Sequence, residues 1–256
     1  MKSKCLLLFF LFFTLSTLSA KEMVFSTLKG MYIAKICSQV LIEAYQKLDV
    51  KLEIIDYPAK RAILMSNSGD IDGEVMRVEG AENDYPNLIR VKPQICAMES
   101  RVYVKNKKFQ FEGWHSMKSF IIGIHRGHLY AAKGTRGMNA VEIDTDDQLM
   151  RMLNKGRLDL VVSQVPDALR SIIKFNLTEI HSLDPSISYF PLYHYLHKKH
   201  VDLIPEIEMI LKGMDNEGRM DVINHELLSK LNRKLKKISG KLDVTSFRKK
   251  GLWKHR

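Results

Sequence analysis

Apolar positions recur along this chain with two periods, and the alternation between them predicts the elements. EMVFSTL, residues 22–28, alternates loosely and predicts a strand. In AKICSQVLIEAYQKL the apolar Ile36, Val40, Ala44 and Leu48 fall four apart, the spacing of a helix face. VKLEIIDYP returns to strand character and ends at Pro58. AKRAILMSNSG predicts a short helix that Gly69 closes. DIDGEVM predicts a third strand. Strand and helix thus alternate as they do in a parallel sheet.

An extended run ending in RVYVKN follows, and then a second, smaller unit. SFIIGIHRG predicts a strand into a glycine turn, and NAVEIDT another strand. DDQLMRMLNKG predicts a helix that Thr145 or Asp146 can cap. RLDLVVSQ predicts a strand, VPDALRSIIKFN a helix entered near Pro166, and LTEIHSL a short strand. YFPLYHYLHKKH is extended again. DLIPEIEMILKGMDNEG and RMDVINHELLSKL predict the last two helices. Two α/β units joined by two extended segments make a two-lobed body, and a cleft between lobes is the usual place for a ligand.

In this ordered series the chain resembles the type II periplasmic solute-binding proteins, in the branch related to the amino-acid binders of ABC transporters. The residues that carry the likeness cover nearly all of the chain after residue 20. They are VFSTL with VLIEAY, YPAKRA with SGDIDGE, NLIRVKPQI, the glycine turn of IGIHRG, LNKGRLDLVVSQ, and EIEMILKGMDNEGRMDVI. The resemblance implies an α/β, two-lobed periplasmic binding protein type II fold. Each lobe would be a mainly parallel sheet flanked by helices, with RVYVKN and SYFPLY as two hinge strands. Lobe 1 would comprise about 21–103 plus 190–228, and lobe 2 about 104–189. It implies a periplasmic protein whose lobes close over a small solute, for uptake through an inner-membrane permease or for sensing. Three positions depart from the amino-acid binders. Asp84 stands where they carry the arginine that grips a carboxylate, Ser163 and Gln164 where they carry an acid, and His128 where they carry a hydroxyl.

Ligands of parallel sheets sit at the carboxyl ends of strands. Three such ends are readable: Thr27 to Tyr32, Gly73 to Arg77, and His125 to Tyr130. Arg77 could grip a carboxylate or sulfonate in a bidentate manner. Glu74 could receive an amine or pair with Arg77. Arg126 and His128 would face the solute from lobe 2, and Arg61, Tyr32 and Gln164 complete the candidate ligand-binding set. The solute is expected to be polar and to carry an anionic group. The segment GDIDGEVMR therefore poses a question: three acids and an arginine share a strand with Ile71 and Val75.

Composition narrows the picture further. MKSKCLLLFFLFFTLSTLSA has two lysines, a short apolar run and a small-residue end, the pattern of a cleaved signal peptide, residues 1–20. Cys5 lies inside the apolar run, which argues against a lipid anchor. The formal net charge of +11 suggests nucleic acid at first sight. It is concentrated in the basic tail 229–256, which carries eleven Lys/Arg and one Asp, whereas residues 21–228 carry 27 Lys/Arg and 28 Asp/Glu. An exported protein with a near-neutral body is not expected to bind nucleic acid. The tail is expected to be solvated, or to meet an anionic membrane surface or an acidic partner. A monomer is expected.

Cys37 and Cys96 both lie among apolar residues, and are read here as two buried free thiols, although export would permit a disulfide. His194, His197 and His200 are spaced by three, which puts neighbours on opposite faces of a strand, so no metal is expected, nor any other cofactor. Asp144, Asp146 and Asp147 lack a calcium loop's glycine and closing glutamate, and read as a helix start. No G-x-S-x-G, H-E-x-x-H or phosphate-binding loop occurs. An enzyme is not expected. Two alternatives stay open: a dehydratase-like cleft enzyme using Glu74, His128 and Asp167, and an adaptor that acts through its tail.

Overall fold

A computed structural model describes residues 21–106 and 110–239. The predicted signal peptide and the last part of the basic tail lie outside the described residues. The first half builds β1 (Lys21–Leu28), α1 (Tyr32–Gln46), β2 (Val50–Tyr57), α2 (Ala59–Ser68), β3 (Gly73–Val78) and the one-turn α3 (Ala81–Asp84). A long strand, β4 (Leu88–Lys105), leads into β5 (Ile122–His125), α4 (Leu129–Gly134), β6 (Ala140–Ile143), α5 (Asp146–Asn154), β7 (Leu160–Gln164), α6 (Val165–Lys174) and β8 (Ile180–Ser182). β9 (Ser188–His197) returns to the first half, followed by α7 (Ile204–Asn216) and α8 (Arg219–Ser239).

The sheet order is β2-β1-β3-β9-β4-β7-β5-β6, with β8 beside β4. β1 pairs in parallel with β2 and β3, and β5 in parallel with β6 and β7. The parallel order expected from the alternating pattern is therefore present in each half. Between the halves run β4 and β9, paired antiparallel from Leu88↔His197 to Ser100↔Ser188. Three apolar clusters follow this division. One joins Phe25, Val40, Tyr45, Val75 and Leu196 with Ile207 and Ile223 of the last two helices. The others cover opposite faces of the second half, with Leu149, Val161 and Leu169 on one side and Val102, Ile124 and Val162 on the other.

Local chemistry explains several boundaries. Gly69 ends α2 at φ +85°, a left-handed position, and a Cβ there would press on the His197 ring at 3.0 Å. Thr145 caps α5, its Oγ1 accepting the Gln148 N–H at 3.2 Å. Gly73 opens β3 because a Cβ would sit 2.1 Å from the Tyr195 carbonyl oxygen. Asp72 ties the turn before it. Its carboxylate accepts the Val24 N–H at 2.7 Å and meets His200 at 2.6 Å and Lys199 at 2.9 Å. His194 is fully buried and bridges Tyr45 Oη at 2.9 Å and the Glu74 carbonyl at 2.6 Å. The carbonyl can only accept, so Nδ1 donates to it, and Nε2 accepts from Tyr45. Burial lowers the His194 pKa to about 4, which keeps the ring neutral.

Two expectations are corrected here. Cys37 and Cys96 are not free thiols but form a disulfide, with Cα atoms 5.6 Å apart, that fastens α1 to β4. The helix expected to stop near Leu231 continues through Ser239, so Ser229–Ser239, the first part of the expected tail, is helical. Its apolar Leu227, Leu228 and Leu231 face inward, which carries the turn forward. Among the described residues no helix is long and apolar enough to cross a membrane, and no group of three or more His, Cys, Asp or Glu is placed to share a metal ion.

The disulfide closes a segment of 59 residues. Chain-entropy reasoning assigns such a link about 4 kcal/mol, with measured values nearer 2–4 kcal/mol. Cys37→Ala with Cys96→Ala is expected to lower the thermal midpoint by roughly 5–10 °C in calorimetry. An unchanged midpoint would contradict a structural role for the link.

Candidate functional site

The two halves meet where the carboxyl end of β1 faces the start of α6. The Tyr32 N–H, first in α1, donates to Asp167 Oδ1 at 3.0 Å. Met31, at the N-cap of α1, offers no side-chain hydrogen bond to the helix. An acid from the second half thus satisfies a free N–H of a helix in the first. Asp167 is 4% exposed. Burial, and then the charge of Asp146, push its pKa up to about 7, against the Tyr32 N–H and Arg170, which lower it. Asp146 accepts from Ser163 Oγ at 2.5 Å, and its second oxygen lies 3.9 Å from His125 Nε2.

Beside these acids stands a series of rings. His125 stacks on His128 at 4.4 Å, His128 lies 5.8 Å from Tyr130, and Tyr130 lies 5.6 Å from Phe190. Ser100 Oγ donates to Tyr130 Oη at 2.7 Å. Burial and His125 lower the His128 pKa to about 4, so its ring is neutral. Three buried polar atoms near the meeting of the halves have no hydrogen-bond partner: Thr27 Oγ1, Gln164 Oε1 and His128 Nδ1. Such groups are uncommon in folded proteins and mark places where a partner is expected. Thr27 and Tyr32 also line a cavity of ≈ 480 Å³ with Lys35, Asp56 and Arg170.

The other residues singled out from the sequence sit elsewhere or are already engaged. Arg77 binds the Glu74 carboxylate with both Nε and Nη2, the latter at 3.0 Å, and donates to the Ala59 carbonyl at 2.7 Å. Glu74 is 1% exposed. Burial pushes its pKa up and the Arg77 guanidinium opposes that shift. Arg126 is largely exposed and lies on Asp144 at 2.6 Å and Glu142 at 3.3 Å. Arg61 is exposed, with its guanidinium 5.0 Å from the centre of the Tyr57 ring. Asp84 is exposed on α3. Tyr32, Gln164 and His128 are thus brought towards one place. Glu74 and Arg77 form a pair of their own, and Arg126 and Arg61 stand on the surface. The sequence reading placed neither Asp146 nor Asp167 in the ligand set. Asp167 follows a helix-starting proline, where an acid ordinarily serves the helix dipole.

The raised pKa of Asp167 carries a sign for stability. The folded state holds this proton more tightly than the unfolded chain. Its contribution is therefore most favourable below about pH 4 and is lost as pH rises to about 7, by up to about 4 kcal/mol. Asp167→Asn keeps an acceptor for Tyr32 and removes the charge. It is expected to raise the thermal midpoint at pH 8 more than at pH 5. A gain equal at both values would contradict the buried-acid assignment.

No family model matches the chain. A curated relative, an uncharacterized protein of Shewanella oneidensis, is 24% identical over 172 residues, which is 63% of this chain; the match spans 64% of the relative's length. Among solved structures, an ancestral arginine-binding protein bound to glutamine superposes with a TM-score of 0.63 at 17% identity, over 80% of this chain and 97% of its own. A histidine kinase sensor domain with similarity to periplasmic binding proteins gives 0.60 at 16% identity, over 75% and 85%. A Wolinella succinogenes protein, described as a binding component of an ABC transporter and complexed with lysine, gives 0.67 at 15% identity, over 81% and 96%. With β4 and β9 joining two α/β halves and these likenesses, the chain has the two-lobed type II periplasmic binding protein fold.

Proposed function

We propose that this protein is an exported solute-binding protein that traps a small, amino-acid-like polar solute between its lobes and hands it to a permease or presents it to a sensor. The observation that carries this reading is the meeting of Tyr32 and Asp167 across the two halves, beside the unpartnered Thr27 Oγ1 and Gln164 Oε1. Paired main-chain and side-chain groups of this kind are what a closing cleft offers a polar ligand. The ligands named for the similar structures, glutamine on an ancestral arginine-binding protein and lysine on the Wolinella succinogenes protein, favour the same class.

In this reading the lobes divide near residues 103 and 190 and swing on β4 and β9. Tyr32, Gln164 and His128 touch the solute. Glu74 and Arg77 shape the first lobe's wall as a mutually satisfied pair. Arg61 and Arg126 stand at the rim. The segment 1–20 directs export to the periplasm, and the basic end of the chain adds attraction to an acidic surface.

Isothermal calorimetry of the purified protein with a panel of amino acids, organic acids and polyamines tests the proposal. Saturable binding is expected, with the solute recovered unchanged. Chemical conversion of the solute would point to a cleft enzyme instead. Silence across the panel would overturn the reading.

A further inference from the structure

The place where the halves meet is rich in acceptors and in negative charge. Thr27 is 4% and Gln164 2% exposed, and Oγ1 of the one and Oε1 of the other lack hydrogen-bond partners. Asp167 spends one carboxylate oxygen on the Tyr32 N–H, and the other receives no hydrogen bond among the described residues. Asp146 is also buried, and its charge adds to burial in raising the Asp167 proton affinity, against Arg170, which lowers it. A positive group placed there would relieve their repulsion and fill the idle acceptors.

The counter-charge needed by a ligand carboxylate is harder to find. Arg77 is held by Glu74, Arg126 by Asp144 and Glu142, and Arg101 by Glu99 and Asp184. Arg170, one turn along α6 from Asp167, lies 3.5 Å from Asp147. Lys35 has no carboxylate partner among the described residues, but it is exposed, lies over the Tyr32 ring at 5.7 Å and lines the same cavity as Asp56. Arg61 has no carboxylate partner among the described residues, but it is exposed, where water screens an ion pair. Asp84, at the position where the sequence comparison expected a carboxylate-gripping arginine, carries the opposite charge.

We infer that the solute is an organic cation, an amine or guanidine that carries no carboxylate, whose N–H groups are taken by Asp167, Gln164 Oε1 and Thr27 Oγ1. This rests on the solute-binding reading above and sharpens its substrate class. Each acceptor then receives a donor, and Asp167 binds as the carboxylate against a cation. The neutral His128 and Tyr130 rings beside the acids suit the alkyl part of such a molecule.

The test is calorimetry at pH 8 on the full chain with two matched pairs, cadaverine against L-lysine and agmatine against L-arginine, and with L-glutamate. At least one decarboxylated compound is expected to bind tenfold or more tighter than its amino-acid counterpart, with glutamate silent. Asp167→Asn is expected to weaken that binding at least tenfold. Gln164→Leu should weaken it severalfold, each variant being checked for an intact thermal transition. Tighter or equal binding of lysine, arginine or glutamate would overturn the cation assignment while leaving the solute-binding function standing. Undiminished binding by both folded variants would overturn the assigned acceptors. Silence towards all five compounds overturns the cation assignment, and the wider panel above then decides the solute-binding reading separately.

Discussion

The antiparallel pairing of β4 with β9 is the constraint on which the rest of this structure depends. These are the strands that run through both halves, paired from Leu88↔His197 to Ser100↔Ser188. Each half adds its own parallel strands to one side of this ribbon and covers them with its own apolar cluster. The carboxyl ends of the parallel strands in both halves consequently point towards the space between them. Thr27 and Tyr32 approach from one side, and Gln164 and Asp167 from the other. The disulfide from α1 to β4 fastens the first half's helix to the ribbon within its apolar core.

Buried charge decides what this arrangement can hold. Glu74 is removed from water and is compensated within its own lobe by Arg77. Asp72 is compensated by Lys199 and His200, and holds β1 to the chain that follows β9. His194 is kept neutral and reads out both Tyr45 and the Glu74 carbonyl. Asp167 differs from these. It is buried, the charge of Asp146 outweighs that of Arg170 upon it, and among the described residues its hydrogen bond crosses to the other lobe. The hydrogen bond from Tyr32 thus crosses between the halves to an acid that has no ion pair among the described residues.

Much of the fold was legible in the sequence because local rules and tertiary demand agree. The helical spacing of Ile36, Val40 and Ala44, the Gly69 stop and the Thr145 cap all appear where the pattern puts them. The site was less legible, for reasons that local pattern does not carry. The sequence left open whether Glu74 meets a ligand amine or Arg77, because in a regular strand residues 74 and 77 point to opposite faces. A register shift against β9 between these two residues brings them together. Pairing of Cys37 with Cys96 depends on how α1 lies over β4. Asp167 reads as a helix-dipole acid until its partner, a main-chain N–H 135 residues away in sequence, is seen. In GDIDGEVMR, Asp70 accepts from Ser68 at 2.7 Å, Asp72 from the Val24 N–H, Glu74 pairs with Arg77, and Gly73 permits the close approach of Tyr195.

A crystal structure of the protein grown with cadaverine tests the central claim most directly, that the space between the lobes is a site for a cationic solute. The account predicts the diamine between β1 and α6, with an ammonium nitrogen within about 3 Å of the Asp167 carboxylate and of Gln164 Oε1. A diamine bound only outside the cleft, or a cleft whose acids stay paired with the protein alone while the diamine is absent, would contradict it.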